Sequence, residues 1–308
     1  IMRIIKETNI DFMRGTFIAG LLSAGLILVG FISMITNNGP KLSIDFKGGT
    51  MVAVNFTEPV DINKIRNSMS DISIDGQKFD FSKEEIKHFG DESNVAIRLA
   101  SLKDEPPQFP QKVADIIASV YPELVPEERN DFILSIEKVG PKVGAELSGD
   151  AVLAIFSALA LILIYISIRF EFKYAVGAIA ALTHDVAITL GIFSILGYEI
   201  SLAVIAAFLT IVGYSLNDTI VIFDRVRENV KGLKSISFRS VINQSINESL
   251  SRTIVTSVTT FLVVLILFLV GGEVIHSFAF AMIVGVIVGT YSSIFVASPV
   301  VIKMSKEN

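Results

Sequence analysis

Six stretches of the chain stay apolar for about as long as a helix needs to cross the ~30 Å hydrocarbon core of a bilayer. They cover residues 16–35, 151–168, 174–196, 201–223, 253–270 and 275–302. Between the first two, long apolar runs give way to short alternations. Met51, Ala53 and Asn55 alternate with Val52, Val54 and Phe56, the period of a strand. Residues 61–70 set Ile62, Ile65 and Met69 at helical spacing behind Asp61, an N-cap residue. Residues 79–86 fit either period, 94–100 and 132–139 read as strands, and 109–121 reads as a helix with Val113, Ile116, Ile117 and Val120 inward. The order β-α-β-β-α-β predicts an antiparallel sheet built in the split βαβ manner over residues 36–150. The expected fold class is a polytopic α-helical membrane protein, with six transmembrane helices and an α+β extracytoplasmic domain between helices 1 and 2.

Composition agrees with that pattern. Of 308 residues, 51% are hydrophobic and only 19% charged, too apolar for a soluble domain of this size. Lys and Arg set the orientation. Arg3, Lys6 and Arg14 precede the first span; Arg169 and Lys173 lie between the second and third; Arg225, Arg227, Lys231, Lys234, Arg239 and Arg252 lie between the fourth and fifth; Lys303 and Lys306 follow the last. The short loops on the other side, 197–200 and 271–274, carry Glu199 and Glu273 and no base. Residues 1–15, 224–252 and 303–308 are therefore expected in the cytoplasm and 36–150 outside it. Within 224–251, basic residues beside Ile236, Phe238, Val241, Ile242 and Ile246 read as a helix lying in the interface plane. The first apolar run reads as a span and not as a cleaved signal peptide.

The chain has no cysteine, which removes disulfides and thiolate metal sites, and its net charge of -5 gives no reason to expect nucleic acid. Residues 140–144 (GPKVG) lack the GK[ST] ending of a nucleotide-binding loop. Neither an ATPase, another catalytic motif nor a cofactor is expected.

The chemistry is concentrated inside the spans. On a helix in the fourth span, Thr210, Tyr214, Asn217, Asp218 and Arg225 share one face, with Ile211, Val212, Ile220 and Ile222 off it. Asp218 lies six residues before Asp224, which puts it about 9 Å inside the membrane edge. An intramembrane carboxylate faces other helices, a partner or a water-filled path. The plain alternative is a residue that only hydrogen-bonds a neighbouring helix. Arg252 opens the fifth span in a stripe with Glu248, Thr256 and Thr259, at a depth comparable with Asp218. An arginine there ordinarily snorkels to headgroups, yet the polarity of Thr253, Thr256, Ser257, Thr259 and Thr260 continues inward. A charge pair that makes and breaks with protonation is the functional reading. His184 and Asp185 sit near mid-membrane in the third span. Asp185 shares a face with the small residues Ala178 and Ala181, and for it structural hydrogen bonding and a relay role both stand, whereas His184 reads as structural. Ala281, Gly285 and Gly289 form a helix-packing seam, and Asp45, Gly48 and Gly49 a joint where the chain enters the sheet.

Six segments together resemble the SecF subunits of the bacterial Sec translocase accessory complex, within the resistance-nodulation-division superfamily. They are residues 10–14 (IDFMR), 44–50 (IDFKGGT), 139–148 (VGPKVGAELS), 183–186 (THDV), 212–225 (VGYSLNDTIVIFDR) and 252–253 (RT). The resemblance implies half of a twelve-span unit completed by SecD. It also implies use of the proton motive force to draw preproteins out of the SecYEG channel after the SecA motor has driven them in. Carried over by motif, Asp218 is the protonatable carboxylate and Arg252 its basic partner. Asn217 and Thr219 line the same path, and the outward domain moves with protonation and touches partner or substrate chain. Only six spans are present, so the carboxylate expected from SecD is not in this chain. The first residue is Ile1, as expected of a chain that begins partway in. A non-conducting scaffold and half of a proton-coupled small-molecule exporter are the alternatives; the 36–150 segment is small for the latter.

Overall fold

The computed structural model describes residues 8–102, 104–232 and 236–305. Arg3, Lys6, Lys234 and Lys306 of the charge pattern lie outside the described residues, as does the side chain of Glu273. The chain divides into two compact units, Ile1–Lys41 with Ala151–Asn308, and Leu42–Asp150.

In chain order, a 3-10 turn (Phe12–Gly15), capped by Asp11, leads into α1 (Thr16–Thr36). A single helical turn (Ile44–Lys47) then precedes β1 (Gly49–Asn55), α2 (Ile62–Ser68), β2 (Ile72–Ile74), β3 (Gln77–Phe79), β4 (Glu85–Phe89), β5 (Asp91–Leu99), α3 (Phe109–Ala118) and β6 (Ile133–Val139). After them come α4 (Pro141–Arg169), α5 (Phe172–Leu196), α6 (Leu202–Gly232), α7 (Phe238–Val270) and α8 (Glu273–Ser292). A π-helical turn (Ser293–Ala297) joins α8 to α9 (Ser298–Met304).

Among the described residues, six helical spans are long and apolar enough to cross a membrane. Three of them reach well beyond their apolar stretches. α4 begins at Pro141, α6 runs on to Gly232 and α7 starts at Phe238. The interface-plane helix expected over 224–251 is therefore absent: its described residues prolong α6 and α7. The reason lies in what covers the apolar side chains. Val226, Phe238, Val241, Ile242 and Ile246 are buried in the core of this unit, together with Tyr174 and Phe223. Protein, and not lipid headgroup, takes their apolar face, so the helices need not break at the interface.

α5, α6 and the α8–α9 span are half buried or more, whereas α1, α4 and the apolar part of α7 are about a tenth buried or less. The first three form the centre of the unit. Ala281, Gly285 and Gly289 bring α8 onto α6: a Cβ on Gly285 would run into the Ile211 side chain, and one on Gly289 would lie 2.9 Å from the Ser215 Cβ. α1 crosses α5 through backbone contact, since a Cβ on Gly30 would stand 2.5 Å from the Gly191 Cα. Gly285→Val overpacks the α6–α8 seam and is expected to destabilise the chain by roughly 1–3 kcal/mol, read as a lower unfolding temperature in detergent.

The Leu42–Asp150 unit is a four-stranded antiparallel sheet in the order β4-β5-β1-β6, with a separate β2-β3 hairpin. This is the split βαβ arrangement. Val52, Val54, Val95 and Ile97 on one sheet face pack against Val113, Ala114 and Ile117 of α3. The ambiguous stretch 79–86 is neither one strand nor one helix: β3 ends at Phe79, Phe81 plugs the core, and β4 starts at Glu85. Arg66 holds this connection by donating to the carbonyls of Ser82, Glu84 and Ile86 at 2.8–2.9 Å.

Gly48 and Gly49 carry φ of 72° and 137°, which side-chain-bearing residues rarely adopt. A Cβ on Gly49 would also lie 2.5 Å from the Leu99 carbonyl oxygen, and one on Gly48 2.9 Å from the Pro141 Cα. Asp45 sits in the preceding turn, capped by Ser43, whose hydroxyl donates to its carboxylate at 3.0 Å. The glycine pair thus lets β1 begin directly against the last residue of β5 and the first of α4.

Candidate functional site

Of the α6 face that the sequence assigns to other helices, a partner or a water-filled path, only part packs within this chain. Ile211, Val212 and Ile222 are buried, Thr210 and Asn217 are exposed and Tyr214 is half-buried. The central helices claim the apolar stripe and leave the Thr210–Tyr214–Asn217 stripe free. Asp218 and Thr219 lie inside the packed region, 3% and 1% exposed. Arg225, placed on the Asp218 face by helical arithmetic, pairs instead with Glu228 and Glu248.

Asp218 Oδ2 is buried and has no hydrogen-bond partner among the described residues. From α7, Ser257, Thr256 and Arg252 lie near this carboxylate. The Ser257 hydroxyl also shares a 2.7 Å hydrogen bond with Thr290 of α8. Tyr214 Oη on α6 and Thr253 Oγ1 on α7 are likewise buried without partners. Buried polar groups are nearly always paired, so such groups on two adjacent helices mark polar surface without a full set of bonds. Arg252 itself is exposed. A carboxylate with one free oxygen near an exposed cation is chemically able to exchange a proton and to hold or release that cation.

Asp185 is the opposite case. Its Oδ2 accepts from Ser215 of α6 at 2.6 Å and Ser292 of α8 at 2.8 Å, and its Oδ1 lies 2.9 Å from His184 Nδ1. His184 Nε2 meets Ser23 of α1 at 2.9 Å; Ser23 meets Tyr291 Oη at 3.0 Å, and Tyr291 donates to the Ala19 carbonyl at 2.6 Å. Both carboxylate oxygens are occupied, and one node ties α1, α5, α6 and α8. Sequence reasoning singled out Asp185 and His184 but missed Ser23, Ser215, Tyr291 and Ser292. The only signal was a hydroxyl in an apolar span, which many helices carry. Thr219 donates to the Ser215 carbonyl at 3.2 Å, placing this node one turn from Asp218 on α6.

At the basic end of α6 and α7, Glu248 accepts from Arg225, from Asn229 at 2.7 Å and from Gln244 at 2.9 Å. Burial works to raise the Glu248 pKa, but these hydrogen bonds and the Arg225 charge outweigh it and hold the carboxyl below its ordinary value. A depressed folded-state pKa stabilises above the unfolded value and is lost as pH falls through the folded one. Glu248→Gln is therefore expected to lower the unfolding temperature at neutral pH, with the gap to wild type closing below about pH 4. Melting curves in detergent from pH 3 to 8 measure it.

Among the described residues, six spans with a split βαβ domain between the first two define a polytopic membrane protein, and its fourth span buries the carboxylate of Asp218. The family model described as protein export membrane protein SecD/SecF, C-terminal, matches residues 123–307, and the SecD/SecF GG motif matches residues 33–60, which contain Asp45, Gly48 and Gly49. Curated proteins named protein translocase subunit SecF are similar over nearly the whole chain. The one from Calditerrivibrio nitroreducens is 43% identical over 97% of this chain and 96% of its own. That from Escherichia coli O157:H7 is 36% identical over 96% and 87%. The crystal structure of SecDF from Thermus thermophilus, a translocon-associated membrane protein, superposes with a TM-score of 0.82 at 36% identity, covering 98% of this chain and 39% of the SecDF chain. A super-membrane-facing form of SecDF gives 0.65 over the same share. The chain belongs to the SecF family of protein translocase subunits, and its work is protein export.

Proposed function

We propose that this chain pairs with a SecD subunit and uses the proton motive force to promote late steps of preprotein translocation through SecYEG across the cytoplasmic membrane. Asp218 is the group that takes up and releases the proton. The observation that carries this reading is the Asp218 carboxylate, 3% exposed, with Oδ2 unpaired and Arg252 and Ser257 of α7 near it. An ionised carboxylate at that depth costs several kcal/mol unless compensated. Arg252 compensates it in the charged state; protonation removes the charge and frees the guanidinium. The α6–α7 contact then has two arrangements that a gradient can bias.

Asn217 and Thr219 flank the carboxylate on the path of the proton. The stripe of exposed Thr210 and Asn217 with half-buried Tyr214 suits a membrane partner better than lipid, and the SecDF likeness favours SecD as that partner. Asp185, with both oxygens bonded, serves as the fixed post against which α6 and α8 hold their register. The basic segments place both termini in the cytoplasm and the Leu42–Asp150 unit on the far side, where it meets the partner or the emerging preprotein. The chain acts without cofactor and without an ATPase of its own.

The experiment is translocation of a secreted precursor into energised vesicles carrying this chain and its SecD partner. The gradient-stimulated part of export is expected to vanish on adding an uncoupler. Stimulation that survives the uncoupler would leave the chain a scaffold.

A further inference from the structure

Residues 10–13, which lead into the 3-10 turn and form its first half ahead of α1, are held by α7 in an unusual way. Asn247 accepts the Ile10 N–H at 2.8 Å and returns a 2.8 Å hydrogen bond from Nδ2 to the Ile10 carbonyl, the two-bond pairing that a neighbouring strand would make. Asn243 donates to the same carbonyl at 3.0 Å and accepts the Met13 N–H at 3.3 Å. Arg239 donates to the Met13 carbonyl at 2.9 Å. Arg239, Asn243 and Asn247 recur every four residues, so they form one ridge of α7. All five bonds go to main-chain atoms, and they close the backbone of Ile10 and Met13 at both ends.

Side chains seat the segment as well. Met13 is buried in the core and Phe12 meets Phe295 edge-on at 6.2 Å. A solvated lead-in to a span would need none of this. A polar cavity of about 770 Å³, lined among others by Thr8, Asp11, Arg225, Gln244 and Ser251, opens beside the ridge. Water therefore competes for these bonds, and the contact is reversible in the way a coupling element must be.

We propose that Arg239, Asn243 and Asn247 form a backbone-binding clamp whose occupant is the chain's own Ile10–Met13 segment, and that this clamp positions α1 and α7 as one body. The consequence follows from what each helix carries. Arg252 stands five residues beyond Asn247 on α7, and α1 continues in the chain to the Leu42–Asp150 unit. At its other end α1 is docked too: the Lys41 carbonyl accepts from the Ile200 N–H at 2.8 Å and Lys41 pairs with Glu199 at 3.3 Å. A shift of α7 that follows the Asp218–Arg252 contact is thus handed to α1 through the clamp. This rests on the proton-coupled reading above, whereas the clamp itself does not. Its three residues are positioning residues, since none touches Asp218.

The test combines amide hydrogen exchange with export, both on the full chain with its partner in vesicles. In Asn243→Leu/Asn247→Leu the Ile10 and Met13 amides are expected to exchange at least tenfold faster, with α5, α6 and α8 still protected. Gradient-stimulated export is expected to be lost while gradient-independent export stays. Asn247→Ala removes the paired contact without adding bulk, and carries the same expectation if the double variant fails to accumulate. Faster exchange with gradient stimulation intact would overturn the coupling; unchanged exchange in both variants would overturn the clamp. If the uncoupler test on wild type fails, the proton reading falls alone, because exchange at Ile10 and Met13 still reports on the clamp.

Discussion

Asp218→Asn is expected to insert and accumulate like wild type and to lose at least tenfold in gradient-dependent export, seen as unprocessed precursor in pulse-chase experiments. The amide fills the same space and keeps hydrogen-bonding capacity toward Ser257, so packing at this 3%-exposed site is preserved. What it removes is the charge that a proton can cancel. Replacing a poorly paired buried charge with a neutral isostere is often neutral or stabilising, so the unfolding temperature should hold or rise while activity disappears. A structural role for Asp218 predicts the reverse pairing, with stability lost and activity following it. Arg252→Gln should behave like Asp218→Asn in export. Arg252→Lys should keep part of the activity, because a point charge survives without the planar guanidinium.

Asp185→Leu should have the largest effect on stability. It removes the acceptor of Ser215 and Ser292 and the partner of His184, leaving buried polar groups on α5, α6 and α8 unpaired. Each orphaned group costs about 1–3 kcal/mol, so the sum approaches the whole stability of an ordinary chain and the variant should scarcely accumulate. Asp185→Asn should be far milder. Its amide oxygen still accepts both serine hydroxyls, and its NH2 meets His184 Nδ1 once that imidazole carries its proton on Nε2. Accumulation in membranes and melting in detergent separate the two. Equal behaviour of Leu and Asn at this position would mean that the hydrogen-bond node does not hold the helices.

Much of this architecture was legible because bilayer thickness and strand alternation leave direct traces in sequence. The six spans and the split βαβ order needed only run length and period. What failed were inferences about which partner covers a face. Residues 224–251 combine bases with an apolar stripe, and that pattern is the same whether headgroups or neighbouring helices cover the stripe; here Tyr174, Phe223 and their neighbours do. For the polar stripe of α6 the sequence leaves other helices, a partner and a water-filled path open; within the chain, Ile211 takes the place against α8 through the close approach that Gly285 allows. At Asp218 the sequence supplied the residue and its depth, and at Arg252 a partner of matching depth. It could not supply the hydrogen-bond chain that runs on from Asp185 through His184. Ser23 and Tyr291 lie more than a hundred positions away, as do the Asn243 and Asn247 contacts of Ile10, and only tertiary structure brings them together.

The central claim is that protonation of Asp218 couples the gradient to export. Its most direct test is the rate of precursor translocation into vesicles at fixed ATP as the imposed pH gradient is stepped, for wild type and for Asp218→Asn. The account predicts a rate that climbs with the gradient in wild type and stays flat in the variant. A variant whose rate climbs in parallel with wild type would contradict it.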